Sequence, residues 1–153
     1  MRTGDLAPDF SLTNQHGVLV TLSALVTKGP VVLFFYPVAT SAGCTKETCH
    51  FRDLGAEFDA VGAQRVGVSM DGVERQLEFA TRNRLDYPLL ADVGGFVAKS
   101  YGVKRPLDLF KVKRTTFVIG RDQRVLSVIH NELNMNAHAD QALQALRAHD
   151  SAH

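Results

Sequence analysis

Val31-Val32-Leu33-Phe34-Phe35-Tyr36-Pro37-Val38-Ala39-Thr40-Ser41-Ala42-Gly43-Cys44 is the stretch from which the fold can be read. Residues 31–36 form a continuous apolar run, rich in β-branched and aromatic side chains, and read as a strand buried on both faces. Pro37 ends that strand, since proline has no N–H to give to a ladder. A loop of small residues follows, and Cys44 falls in the first turn of a helix. Phe51, Leu54, Phe58 and Val61 recur at helical spacing, which carries the helix over residues 43–60.

Working outward, residues 66–70 read as a second buried strand. Asp71 with Glu74 three later resembles a capping box, opening a helix with Val73, Leu77 and Ala80 on one face. Residues 94–101 suit a short helix. Residues 115–119 and 125–129 read as two strands joined by a turn at 120–123. Asn136 is placed to cap a last helix that turns Ala139, Ala142, Leu143 and Leu146 to the core. On the other side, Phe10 and Leu12, then Val18, Val20 and Leu22, alternate around Gln15-His16-Gly17 as an N-terminal hairpin. This order predicts an α/β fold, a mixed sheet flanked by helices. No repeat or linker interrupts it, so a single domain is expected over residues 1–153, with His149 and His153 in a flexible tail.

The chain has 153 residues, long enough for one well-cored domain; apolar residues make up 45% and charged residues 22%, an ordinary globular balance. A formal charge of +1 gives no field toward nucleic acid or membrane. The longest apolar run, residues 30–36, is far short of the roughly 20 residues that span a bilayer. Asp5 and Asp9 in an N-terminus without an apolar stretch do not suit a signal peptide, so a cytoplasmic, reducing location is expected. In that setting the two cysteines, Cys44 and Cys49, point to redox chemistry or metal binding rather than a structural bridge. His50 invites a metal reading. Yet residues 49 and 50 project about 100° apart on a helix, and no second cysteine pair or histidine cluster completes four ligands.

Redox chemistry suits Cys44 by position. The start of a helix offers unsatisfied N–H groups and the positive end of the macrodipole to an anion. A free thiol is only about 3% thiolate at pH 7, so complete ionisation gains about thirtyfold in nucleophile. A thiolate reaction needs donors for the charge that develops on its substrate as well, and Ser41, the loop N–H groups and an arginine are the candidates.

The segment resembles the peroxiredoxin active site, Pro-x-x-x-Thr/Ser-x-x-Cys, with Pro37, Ser41 and Cys44 in register. Thr45-Lys46-Glu47-Thr48-Cys49-His50-Phe51-Arg52-Asp53 is similar to the bacterioferritin comigratory protein, or peroxiredoxin Q, subfamily. Arg114-Thr115-Thr116-Phe117 resembles that family's Arg-x-Thr/Ser-Phe strand, and the likeness runs from Gly4 to the last helix. The resemblance implies a thioredoxin-like fold and a thiol peroxidase acting on hydrogen peroxide and organic hydroperoxides. It further implies Cys44 as the peroxidatic residue, Cys49 as the resolving one, and Arg114, Ser41 and Pro37 in the site. A thioredoxin-like dithiol would be the reductant, no cofactor or metal is implied, and a monomer or weak homodimer is expected.

Several departures stand out. Ser41-Ala42-Gly43-Cys44 replaces the usual Thr-Pro-Gly-Cys, which removes a φ constraint before the cysteine. Val38 and Ala39 replace polar residues, and Gly120 stands where an Asp is frequent. None removes a group the chemistry requires. Some residues carry two readings: Cys49 also suits a small helix position, Arg114 a strand-end charge, Glu47 a surface residue or an arginine's partner. Arg52 and Asp53 suit a surface ion pair as well as the motif. Lys104, Arg105, Lys111 and Lys113 read as a solvated loop or a surface for a reductase. A redox switch protein would need a partner the sequence does not supply, and a thiol–disulfide oxidoreductase would need a C-x-x-C that is absent.

Overall fold

The computed structural model describes residues 1–106 and 112–151; Lys111 of the basic stretch lies outside them. The hairpin forms as expected, with β1 (Ser11–Thr13) antiparallel to β2 (Leu19–Thr21) and Leu12 opposite Val20. Asn14 closes its turn by accepting the His16 and Val18 N–H groups on its side-chain oxygen. A short α1 (Leu22–Leu25) leads to β3 (Val31–Phe35), every residue of which is buried. The chain then runs α2 (Ala42–Asp53), α3 (Gly55–Ala60), β4 (Gln64–Ser69), α4 (Val73–Arg82), β5 (Leu89–Ala91), α5 (Phe96–Ser100), β6 (Thr115–Ile119), β7 (Val125–His130) and α6 (Asn136–Ser151).

Among the described residues the strands form one seven-stranded sheet of order β2-β1-β5-β4-β3-β6-β7. β3, β4 and β5 are parallel and the remaining pairs antiparallel, so the sheet is mixed, as expected. Alternation along β3 divides the core. Val31, Leu33 and Phe35 pack with Phe10, Leu22, Tyr101 and Phe117. Val32 and Phe34, with Tyr36 beyond the strand, pack with Phe51, Phe58, Phe79, Ala142 and Leu146 from the helices. Gly67 on β4 makes this second layer possible: a Cβ there would lie 2.8 Å from Leu89 and 3.0 Å from the Phe34 ring.

The structure corrects several expectations. The helix expected over residues 43–60 breaks after Asp53, because Arg65 inserts its guanidinium at the junction. It donates to the Phe51 carbonyl at 3.0 Å and lies 3.2 Å from where a Cβ on Gly55 would be. No capping box forms at Asp71, since α4 starts after Gly72 and the Asp71 carboxylate is used elsewhere. The buried face of α4 is Gln76, Phe79 and Ala80, while Leu77 is exposed. β5, only three residues long, has too little sequence for a periodic signal. Asn136 is the first residue of α6, and Asn134 accepts the Ala137 N–H instead. α6 runs through His149, so that residue is helical rather than part of a tail; His153 lies outside the described residues. Among the described residues, no helix is long and apolar enough to cross a membrane.

Candidate active site

Ser41 is the N-cap of α2, its Oγ accepting the Cys44 N–H at 3.2 Å and its carbonyl accepting the Thr45 N–H at 2.9 Å. Cys44 is therefore the third helical residue, beside the unsatisfied N–H groups of the first turn, and it is fully buried. The loop that delivers Ser41 is tied down by Asp71, whose Oδ2 accepts the Ala39 N–H at 2.8 Å and the Ser69 hydroxyl at 2.6 Å. Thr40 turns with φ of 75°, a left-handed conformation uncommon outside glycine.

Pairing of β6 with β3 sets Thr115 opposite Phe35, so the residue before it, Arg114, stands at the end of β3 where this loop begins. Arg114 Nη1 reaches within 3.5 Å of Cys44 Sγ and donates to Glu47 Oε1 at 2.6 Å. Its backbone N–H is fixed by Glu132 Oε1 at 2.9 Å. Gly43 leaves the space this needs: a Cβ there would lie 3.3 Å from Arg114 Nη2 and 3.4 Å from Met135 Sδ. Burial opposes the Arg114 charge, but Glu47 and Cys44 beside it hold the guanidinium pKa above its ordinary value. A fork of donors and a helix N-terminus thus place positive potential at one sulfur.

Glu47 belongs to the site and not to the surface. It follows Cys44 by one turn on the same buried face as Thr48 and Phe51. Burial pushes its carboxyl from 4.5 up to about 8, against the pull of Arg114. The stabilisation from its protonated form is complete below about pH 4.5, where an unfolded carboxyl is also protonated, and is lost as pH rises through about 8. Wild type should therefore lose stability relative to Glu47→Gln between pH 5 and pH 9, measured by urea unfolding at both. A constant difference would mean that Glu47 is already ionised in the folded protein at pH 5.

The other candidates take separate places. Pro37 lines a cavity of about 320 Å³ with Arg105, Val112, Arg114 and Glu132, at the guanidinium. Cys49 is a free, half-buried thiol on α2 whose Sγ lies 3.7 Å from Asn83 Oδ1. His50 pairs with Asp140 at 2.7 Å. Among the described residues, no three His, Cys, Asp or Glu side chains are grouped to hold a metal. Arg52 does pair with Asp53, and it also donates to the Asn83 carbonyl at 2.6 Å. Phe35 and Tyr36 are core residues, the Tyr36 hydroxyl donating to Gln76. Sequence reasoning gave Asp71 only as a helix cap and Thr116 only as part of the Arg-x-Thr/Ser-Phe strand, and it missed Glu132 and His138. Of the last two, His138 left a signal: it precedes Ala142 and Leu146 by four and eight residues, a polar side chain in an apolar stripe.

Residues 3–128 match the model of the AhpC/TSA family. The chain belongs to that family. This AhpC/TSA protein is 58% identical to the peroxidoxin BcpB of Mycobacterium tuberculosis, whose crystal structure matches over 97% of each chain with a TM-score of 0.92. It is 39% identical to the chloroplastic peroxiredoxin Q of Sedum lineare, covering 95% of this chain and 77% of that one. The Xanthomonas campestris bacterioferritin comigratory protein, a structure described for its alkyl peroxide reduction, is 28% identical with a TM-score of 0.84, covering 92% of this chain and 91% of that one. The peroxiredoxin Q resemblance and the thioredoxin-like fold therefore stand, and the protein is an oxidoreductase, a thiol-dependent peroxidase.

Proposed function

We infer that the peroxidase reaction runs through Cys44 and is resolved by Cys49 within one chain. The observation that carries this reading is Arg114 Nη1 at 3.5 Å from a sulfur at the start of α2. The Cys44 thiolate attacks the terminal oxygen of a hydroperoxide and the O–O bond breaks. The sulfur becomes a sulfenic acid, and the leaving oxygen takes a proton to depart as water or alcohol. The Arg114 fork stabilises charge on sulfur and on the departing oxygen together. Ser41, with its Oγ already accepting from the backbone, keeps its own hydrogen for a peroxide oxygen. Pro37, on the cavity wall, shields the sulfur from bulk water.

Cys49 then condenses with the sulfenic acid, releasing water and forming a disulfide, and a thioredoxin-like dithiol returns both thiols by exchange. Both cysteines lie on α2, so a monomer or weak homodimer suffices, a single domain working in a reducing cytoplasm without metal or cofactor. The test is NADPH oxidation coupled through thioredoxin reductase and thioredoxin, with hydrogen peroxide or an organic hydroperoxide. Wild type should sustain turnover. Arg114→Lys should lower the peroxide rate constant by about tenfold or more and move its pH–rate midpoint upward, because lysine offers a point charge in place of a fork. Unchanged values of both would place Arg114 outside the reaction.

A further inference from the structure

Glu47 Oε2 is fully buried and has no hydrogen-bond partner, although Oε1 of the same carboxyl is held by Arg114. What Oε2 faces is His138 Nδ1, 3.6 Å away on α6, and that ring is itself fully buried. Both ring nitrogens are engaged: Nε2 with the Asn131 carbonyl at 2.8 Å, Nδ1 with the Thr116 hydroxyl at 2.8 Å. A carbonyl only accepts, so Nε2 carries a hydrogen. Nδ1 accepts from Thr116 when the ring is neutral and donates when it is charged. Leaving a buried carboxylate oxygen unpartnered is costly. Protonating Oε2 removes the charge it would otherwise carry unpartnered, and a proton on Nδ1 instead sets an imidazolium against it at 3.6 Å.

We propose that Glu47 and His138 hold one proton between them and that His138 is thereby a positioning residue for the peroxidase reaction, keeping the Glu47–His138 pair neutral so that the Arg114 charge is directed to Cys44. The proposal rests on the reading of Cys44 as the residue that attacks peroxide. The contacts run without a break: Cys44 Sγ to Arg114 Nη1 at 3.5 Å, Arg114 to Glu47 Oε1 at 2.6 Å, Glu47 Oε2 to His138 Nδ1 at 3.6 Å. A fully ionised Glu47 would draw the guanidinium's charge to itself and set a second anion near the sulfur. With the shared proton in place, Glu47 Oε1 still accepts from Arg114 but no longer competes with Cys44 as an anion.

The surrounding charges agree with this placement. Burial raises the Glu47 pKa to about 8, and burial, with the Arg114 charge, lowers that of His138, so near pH 7 the proton sits on Oε2. The other charged groups facing the pair lie at the end of β7 and just beyond it: His130, the last residue of the strand, which lowers the pKa of His138, and Glu132, which raises both pKa values and is paired with Arg105 at 3.1 Å. Thr116 on β6 contributes a neutral hydroxyl.

The experiment is the rate of a single turnover with one equivalent of hydrogen peroxide, from pH 5 to pH 10, in wild type, Glu47→Gln and His138→Gln. In wild type the rate should fall on the alkaline side as the shared proton is lost. Glutamine at 47 is permanently neutral and should abolish that alkaline fall. Glutamine at 138 can donate to Oε2 but cannot take up its proton, and should move the fall down by about one pH unit. An alkaline fall that vanishes in Glu47→Gln yet is unmoved in His138→Gln would overturn the sharing, since the proton would belong to Glu47 alone. Nitrogen-15 NMR of the wild-type His138 ring provides the check that needs no histidine variant. Its Nδ1 resonance should shift across the same pH interval as the rate, and that shift should be lost in Glu47→Gln; a ring that ignores the interval would also overturn the proposal. Absence of a Cys44 sulfenic acid or disulfide in wild type after peroxide would instead overturn the reading of Cys44, and mass spectrometry separates the two failures.

Discussion

Cys44→Ser should reduce peroxide consumption to the level of buffer. The substitution exchanges one atom in a buried site and keeps the cap, the helix and the Arg114–Glu47 pair in place. What it removes is an ionisable nucleophile. A free thiol is partly ionised near neutral pH, whereas a hydroxyl is almost never ionised there. Only Cys49 could then supply a thiol, as the chain has two cysteines. Its Sγ lies 3.7 Å from the Asn83 amide oxygen, an acceptor that favours the thiol over the thiolate. The measurement is peroxide loss in the coupled assay, with circular dichroism to show that the variant is folded. Turnover above a few per cent of wild type would move the nucleophile away from Cys44.

Oxidation should open α2. Residues five apart on a regular helix have Cα atoms about 8.6 Å apart, beyond the roughly 7 Å that a disulfide spans. Both thiols are free on an intact helix, so the bridge cannot form until its first turns unwind. The contacts that oppose unwinding are on the same segment. The Tyr87 hydroxyl donates to the Thr48 carbonyl at 2.6 Å, Arg52 to the Asn83 carbonyl at 2.6 Å, and His50 pairs with Asp140 at 2.7 Å. Glu47 must also leave Arg114. Ala42, which lacks the φ constraint of a proline, eases the change at the other end.

Hydrogen exchange of the peroxide-treated protein should therefore show lost protection over residues 43–51, with far smaller changes elsewhere. Cys49→Ser should consume about one equivalent of peroxide and stop as a sulfenic acid, losing steady-state turnover by a factor of about ten or more unless an external thiol resolves it. Peptide mass spectrometry of oxidised wild type decides the pairing. No Cys44–Cys49 disulfide would end the resolving role, and a helix still protected in the bridged form would end the unwinding.

Much of this molecule was legible because it depends on local pattern. The six-residue apolar run marked β3, the Pro37-to-Cys44 spacing marked the loop and helix start, and alternation around Gly17 marked the hairpin. Reading failed where a distant side chain took over a local role. Asp71 was expected to cap its own helix, but a carboxylate between two strand ends does better by holding Ala39 and Ser69. The helix through residue 60 was broken by Arg65, whose approach no periodicity could announce.

The same division runs through the site. The sequence by itself determined which thiol starts a helix and which arginine precedes a strand, because a cap needs only Ser41 and a strand needs only its own residues. Tertiary structure alone decided that Arg114 meets Cys44, through the β3–β6 register that sets residues 35 and 115 opposite each other. It alone chose between the two readings of Glu47, making it a buried carboxyl held by Arg114, and brought His138 from the far end of the chain to face it. Burial and through-space charge belong to no segment of the chain, and they exist only once the layers have closed.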